Sequence, residues 1–220
     1  MKHLTVATIT VALSLALVGC GSDSTTSTST STSTSTTASP ATSATPGARP
    51  HKTIADYIAS NQLTETPVHK DDPGAPFIHL PTPPGWQLAN PTTQFYGAIV
   101  LAHPSNPADP PTITELFSKL TGNVDPAEII HYAPGELQNL PGYQGSGNGH
   151  ASTFSGFQAW QVSGTYQRDD NTRSATQETV VIPGQGAVFV LQLNADSLQS
   201  DEGTLMDAMN IIGAQTSIKP

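Results

Sequence analysis

Cys20 is the residue that most directly indicates covalent chemistry, because it is the single cysteine of this 220-residue chain. It has no partner for an internal disulfide, and the residues around it supply neither a zinc site nor a Cys-His nucleophile. It follows a positively charged start and a mostly apolar run over residues 4–18, the layout of a secretory signal that is too short to span a bilayer comfortably. Leu17-Val18-Gly19-Cys20 matches the bacterial lipobox. We therefore predict a signal peptide over residues 1–19 and a lipid anchor on the Cys20 thiol, with a chance cysteine as the alternative.

Other motifs of catalysis or cofactor binding are weak in this sequence. The chain contains no G-x-S-x-G, no H-E-x-x-H and no P-loop, and the glycines of residues 145–149 stand before a predicted strand rather than a helix. The six histidines after Cys20 are scattered, and His69 near Asp71 and Asp72 indicates a solvated loop more than a metal site. We expect a non-enzymatic protein without metal or cofactor. A hydrolase assembled from distant residues stays open, because such triads are recognised in space.

Aromatic residues are the best candidates for ligand binding. They come from strands and loops that could surround one cleft, and an aromatic wall with a few polar groups suits a sugar or a lipid. An ordinary hydrophobic core is the alternative. The candidate ligand-binding residues are Trp86, Tyr96, Tyr143, Trp160 and Tyr166.

A polar segment separates the predicted anchor from the rest of the chain. Residues 24–37 are an unbroken run of Ser and Thr, followed by a Pro-containing stretch, so we predict a disordered stalk over residues 20–52. About 32 residues of flexible coil have a root-mean-square reach of about 30 Å. Such stalks are good substrates for O-glycosylation, and an unmodified spacer is the alternative.

The acidic charge of the chain bears on two kinds of partner, nucleic acid and anionic lipid. It carries 8 Lys and Arg against 17 Asp and Glu, and removal of the signal takes away Lys2, which leaves 7 against 17. This acidic balance argues against binding to nucleic acid and against electrostatic adhesion to anionic lipid headgroups.

The remaining residues predict one α+β domain over residues 53–220. Thr53 and Asp125 are N-caps of two helices, and the second helix should restart at Pro134-Gly135. A third helix carries Leu205, Met206, Met209 and Ile212 on one face and should stop at Gly213. The predicted strands lie over residues 77–80, 86–88, 96–104, 157–167, 172–182 and 187–193. Alternation of Trp160, Val162 and Tyr166 with polar residues predicts one buried and one wet face for the strand at 157–167.

Residues 112–120 are ambiguous. Ile113, Leu116, Phe117 and Leu120 lie at helical spacing, and Thr112 with Glu115 forms a capping box, so the local pattern predicts a helix.

Several long strings resemble the LpqN/LpqT family of mycobacterial cell-envelope lipoproteins. They are TIADYI (53–58), PGELQNLPGYQGSG (134–147), VVIPGQGAVFVLQLNAD (180–196) and TLMDAMNII (204–212), and the likeness also includes the lipobox and the stalk. The resemblance implies a PsbP-like fold, an antiparallel β-sheet covered by α-helices, in which residues 112–120 form a strand. It also implies a non-enzymatic role in envelope biogenesis beside lipid exporters and mycolyl-transfer enzymes, with some members engaging host proteins.

Three functional hypotheses follow. The favoured one is a lipoprotein on the outer face of the cell membrane, also shed or secreted, that binds or hands over an envelope glycolipid such as a trehalose mycolate. The second is a protein-interaction module with an envelope or host partner, and the third is a hydrolase without a recognisable motif. A closed apolar cleft would favour a lipid, and a flat exposed apolar patch would favour a protein.

Overall fold

The computed structural model describes residues 51–89 and 95–220. The predicted signal peptide, Cys20 and most of the predicted stalk lie outside these residues. Within them the chain forms four α-helices, one short 3-10 turn and eleven β-strands. The helices are α1 Ile54–Ser60, α2 Pro126–Tyr132, α3 Gly135–Gln138 and α4 Glu202–Gln215. The strands are β1 Thr64–Pro67, β2 Phe77–His79, β3 Trp86–Leu88, β4 Gly97–Leu101, β5 Thr112–Thr121, β6 Gln144–Gly145, β7 His150–Phe154, β8 Phe157–Arg168, β9 Asn171–Gly184, β10 Ala187–Leu198 and β11 Ser217–Lys219.

One antiparallel sheet of nine strands organises the domain. Its order is β3-β4-β5-β10-β9-β8-β6, with β1 added beside β5 and β7 beside β8, while β2 and β11 form a separate pair. The three central strands β8, β9 and β10 are a meander joined by tight turns. Asp169 and Asp170 both have positive φ at the β8–β9 turn, as the favoured two-residue hairpin turns require. The predicted α+β architecture is confirmed.

Helices cover both faces of this sheet. On one face α4 buries Leu205 and Ile212 against Val180 and Leu191 in the largest apolar cluster. On the other face α1 and α2 pack on Val181 and Val190, and α3 packs on the far end of β8. Ala159 is therefore buried on one side of β8 while Val162 is buried on the opposite side. Val162 and Tyr166 are buried as predicted, whereas the opposite face of this strand is wet only in part, because Ala159 is buried in the cluster beneath α4.

Residues 112–121 form strand β5, as the family resemblance implied and the local pattern did not. Ile113 and Phe117 lie on the α4 side, whereas Leu120 lies on the opposite side with α1 and α2. β10 pairs along one edge of β5, and β4 and β1 pair along the other. Since the backbone hydrogen bonds are satisfied on both edges, tertiary pairing overrides the helical spacing.

The helix ends are partly as predicted. Asp125 caps α2 by accepting a hydrogen bond from the Ala127 amide at 2.9 Å, and the chain restarts as α3 at Gly135. The predicted stop at Gly213 is wrong, because α4 continues to Gln215 and ends where Thr216 turns extended. The Thr216 hydroxyl donates to the Ile212 carbonyl at 2.7 Å, so the terminus is closed by threonine rather than by glycine.

A buried ion network joins the loop that precedes β5 to the end of the sheet. Arg173 is 2% exposed and donates from Nε to Asp196 at 2.9 Å, and it also forms ion pairs with Asp109 and Asp196 through its terminal nitrogens. Arg168 adds a 3.2 Å contact to Asp109. A buried guanidinium needs such partners to offset its desolvation, so this network fixes the loop against the sheet.

Candidate functional site

The five predicted aromatic residues do not surround one cleft. Trp86 is buried in the cluster beneath α4, and Tyr96 packs against the edge of this cluster. Trp160 packs with α1 and α2 on the opposite face, and Tyr143 and Tyr166 belong to the cluster beneath α3. The prediction of a shared cleft is wrong, because Trp86 and Tyr96 lie on the α4 side of the sheet, and the three others lie on the opposite side in two separate clusters. Binding by any one of them stays a prediction.

Tyr143 and Tyr166 have structural roles that account for their positions. The Tyr143 hydroxyl donates to the Ser163 carbonyl at 2.9 Å, and its ring lies where a Cβ on Gly164 would be 2.6 Å away. The Tyr166 hydroxyl donates to Asp196 at 2.6 Å, and burial together with this bond raises the pKa of Tyr166 to about 12. Both rings therefore serve the fold.

Trp160 is the predicted residue that lines a groove. This groove has a cavity volume of about 420 Å³ and lies between α2 and the loop before β7. The Trp160 Nε1 donates to the Asn148 carbonyl at 2.6 Å, which holds the indole in place. The groove is open to solvent, and the residues that line it are Ala127, Ile130, His131, Pro134, Asn148, Gly149 and Trp160.

Gly149 lets the loop approach Trp160 closely. Its φ is +83°, and a Cβ at this position would lie 2.2 Å from the Gln161 carbonyl and 2.9 Å from the Trp160 nitrogen. Only glycine fits this combination of left-handed backbone and close contact. The glycine-rich run that follows α3 therefore builds one wall of the groove.

A second groove of about 330 Å³ continues from the first. The two share His131, Pro134 and Asn148. The additional lining residues of the second groove are His51, Lys52, Tyr132, Gly135 and Gln138. We call the two together the Trp160 groove, with a tryptophan end and a lysine end.

Asn139 and Gly135 hold residues 51 and 52 at the lysine end. The Asn139 side chain accepts from the His51 amide at 3.1 Å and donates to the His51 carbonyl at 2.7 Å. A Cβ on Gly135 would lie 1.9 Å from the Lys52 carbonyl, so glycine is needed where α3 begins. The last two residues of the predicted stalk, His51 and Lys52, are therefore part of the groove wall.

The chemistry of the Trp160 groove suits a polar ring compound. Its tryptophan end offers Ile130, Pro134 and the indole as apolar surface, and Asn148 and Gln138 offer amide groups. Sugars are recognised by this combination, in which an aromatic face meets the C–H side of the ring and amides bond the hydroxyls. Within the described residues, no group of three or more His, Cys, Asp and Glu could hold a metal.

A serine, a histidine and a glutamate do meet on the α4 side of the sheet. The Ser152 hydroxyl donates directly to Glu178 at 2.5 Å, and His150 lies on the same strand as Ser152. Burial raises the pKa of Glu178, while Ser152 and His150 act in the opposite direction. In a nucleophilic triad the histidine stands between serine and acid, so this order does not activate Ser152.

The fold and site define an α+β domain with an open groove beside α2. Residues 50–219 match the family model described as probable lipoprotein LpqN, and the chain belongs to this family.

The sequence and the crystal structure of one relative support this assignment. The chain is 56% identical over 174 residues to lipoprotein LpqN of Mycobacterium tuberculosis (strain ATCC 25618 / H37Rv), which covers 79% of this chain and 76% of the relative. The crystal structure of LpqN, described as involved in cell envelope biogenesis of that organism, matches with a TM-score of 0.76 and 56% identity over 78% of this chain and 99% of that chain. The family resemblance is confirmed, and the likeness to PsbP stays a prediction.

The sequence pointed to Trp160 but not to its neighbours in the groove. His131 had been one of several scattered histidines, and Lys52 had been placed at the end of the stalk. Asn148 lies in the glycine-rich run, and this run was the one available indication of an unusual loop. The groove brings together three segments distant in the chain, so no local pattern could reveal it.

Proposed function

We propose that this chain is a lipid-anchored, non-enzymatic lipoprotein of the cell envelope whose domain binds the sugar headgroup of an envelope glycolipid. The ligand class is a trehalose ester such as a trehalose mycolate, presented or handed over beside lipid exporters and mycolyl-transfer enzymes. The proposal is supported by the relative at 56% identity, whose crystal structure is described as involved in cell envelope biogenesis.

The observation that carries the proposal is the position of Trp160 in the groove. Its nitrogen is fixed to Asn148 at 2.6 Å, and the adjoining surface is apolar with an amide rim. A cavity of about 420 Å³ falls in the usual range for a small-molecule site. Because the groove is open, it admits a headgroup while the acyl chains stay in a lipid environment.

Replacement of Trp160 tests this function. Trp160→Ala should weaken binding of a soluble trehalose monoester about tenfold, because the lost stacking and contact area are worth about 1.4 kcal/mol. Titration calorimetry measures this. The matched control is Phe77→Ala, which removes an aromatic side chain that is 59% exposed and does not line the groove. Equal affinity of wild type and Trp160→Ala would show that the groove is not the binding site.

A specific observation favours protein binding as the second candidate. Phe77 and Leu88 are large apolar side chains that are 59% and 74% exposed. Leu88 lies on β3, the short strand at the edge of the main sheet, and exposed apolar groups at such edges are typical of contact surfaces. This surface would engage an envelope or host protein. Crosslinking in intact cells should then lose a partner with Leu88→Ser but keep it with Trp160→Ala.

A further inference from the structure

The lysine end of the Trp160 groove brings a lysine and two histidines together in an acidic protein. Lys52, His51 and His131 line it, and none of the described residues that line either part of the groove is acidic. The whole chain has 17 acidic residues against 8 Lys and Arg, so this composition is unusual for the molecule. In the described residues Lys52 has no ion pair, whereas Arg168 and Arg173 are both paired with aspartates.

These side chains are carried by a fixed framework. The backbone of His51 is held by the two bonds to Asn139, and Gly135 lets Lys52 lie against the start of α3. The His131 ring packs on the edge of Tyr132 with centroids 4.8 Å apart, and Tyr132 stacks on Tyr57 at 5.8 Å. The backbone that carries His51 and Lys52 is therefore held in place, which lowers the entropic cost of binding at this end.

Two side-chain amides close this end of the groove. Gln138 Nε2 donates one hydrogen to Asn148 Oδ1 at 2.9 Å and the other to the Gly147 carbonyl at 3.3 Å, so of the two amides it is Asn148 that can donate to a ligand. These hydrogen bonds connect α3 to the loop whose Asn148 carbonyl accepts from Trp160. A lysine ammonium with neighbouring imidazoles and amides is a typical setting for a phosphate group.

We propose that the groove recognises a phosphorylated sugar, with the sugar ring at the tryptophan end and the phosphate at Lys52. This rests on the proposed function, because it takes the saccharide at Trp160 as given and adds an anionic group to the ligand. His131, Pro134 and Asn148 line both ends, so the two ends adjoin and one ligand can contact both. The same chemistry occurs in soluble sugar phosphates and in the headgroups of phosphoglycolipids.

The test compares three soluble probes on the full chain carrying Cys20→Ala, which prevents acylation. Trehalose, trehalose 6-phosphate and inorganic phosphate are titrated by calorimetry. The phosphorylated sugar should bind at least about tenfold more tightly than trehalose, because charge-assisted hydrogen bonds are stronger than neutral ones. Lys52→Gln should abolish this difference, and Lys119→Gln, an exposed lysine outside the groove, should leave it unchanged.

The outcomes distinguish a failure of the phosphate site from a failure of the proposed saccharide binding. Equal affinity for trehalose and its phosphate, or a difference that survives in Lys52→Gln, overturns the phosphate site while the saccharide function stands. If none of the three soluble probes binds, and phosphatidylcholine vesicles that contain phosphatidylinositol do not bind the wild type either, both the phosphate site and the saccharide function are overturned. Vesicle binding that depends on Lys52, with phosphatidylglycerol vesicles as the comparison, identifies the lipid headgroup rather than the soluble ester as the source.

Discussion

At the scale of single residues, polar side chains inside this domain have distinct environments. Glu115 is 9% exposed on the α4 side of β5, where its carboxyl group packs against the backbone of Gly97. Burial raises the pKa of Glu115, and Lys70 acts against this effect. Arg173, in contrast, is almost fully buried and has two aspartates as partners. The negative charge of Glu115 destabilises the fold at its site, whereas the positive charge of Arg173 is needed for the ion pairs at its own site.

The pKa of Glu115 predicts how stability depends on pH. Because the folded state holds this proton more tightly than the unfolded chain, the free energy of unfolding should fall as pH rises above the ordinary carboxyl pKa of about 4.3. Glu115→Gln should be more stable than wild type at neutral pH and should reduce that decline. Urea unfolding between acidic and neutral pH measures both. Glu65→Gln, an exposed acid on β1, is the control, and an unchanged slope in Glu115→Gln would refute the assignment.

Removing the charge of Asp196 should lower the stability of the fold, in contrast to removing that of Glu115. Asp196→Asn removes the carboxylate that accepts from Arg173 and Tyr166, and leaves a guanidinium that is 2% exposed short of one partner. We expect a loss of about 3–5 kcal/mol in the free energy of unfolding. Denaturant unfolding provides the measurement, with exposed Asp207→Asn as the matched control. A loss no greater than that of the control would show that the network contributes little.

At the scale of secondary-structure elements, local patterns predicted some elements well. Thr53 and Asp125 cap α1 and α2 as expected, since an N-cap bonds amides only two or three residues away. The local pattern did not predict β5, because pairing with a strand distant in the chain overrides the helical spacing of its apolar residues. The stop of α4 was missed because Thr216, and not Gly213, closes the terminus.

The candidate site was predictable only in part for the same reason. Alternation along a strand separates two sets of side chains, but it does not say which set faces which helix. Trp86 and Trp160 therefore looked equivalent in sequence, although one is core beneath α4 and the other lines a groove beside α2. Lys52 could not be recognised, since its place depends on the contact with Gly135.

The junction of α2 and α3 should be sensitive to a single methyl group. Gly135→Ala would place a Cβ 1.9 Å from the Lys52 carbonyl, so residues 51–53 or α3 must shift. Such overpacking typically costs about 1–3 kcal/mol. Hydrogen exchange should show faster exchange at the amides of His51 and Thr53. Gly213→Ala, on an exposed helical position with nothing within 4 Å, is the control and should be neutral or slightly stabilising. Unaltered exchange in Gly135→Ala would contradict the packing.

At the scale of the whole molecule, the predicted anchor lies outside the described domain. Among residues 51–89 and 95–220, no helix is long and apolar enough to cross a membrane. The lipobox predicts that a lipid on Cys20 attaches the chain to the membrane. Membership of the LpqN lipoprotein family is consistent with this arrangement.

Replacing Cys20 tests the anchor. Cys20→Ala should leave unprocessed precursor or move the protein out of the membrane fraction, because the thiol that carries the lipid is absent. Fractionation of cells and mass measurement of the purified protein report the outcome, with Trp160→Ala as a control that should still be acylated. Normal membrane partitioning and processing of the Cys20→Ala protein would show that another segment provides the anchor.

The central claim is that the Trp160 groove binds an envelope glycolipid through its headgroup. The most direct measurement is native mass spectrometry of residues 50–220 after incubation with a total envelope lipid extract, on wild type and Trp160→Ala in parallel. We predict a discrete adduct with the mass of a sugar-headed lipid on the wild type and its loss on the variant. A bare wild-type protein, or an adduct that Trp160→Ala retains, would contradict the claim and favour the exposed surface at Phe77 and Leu88.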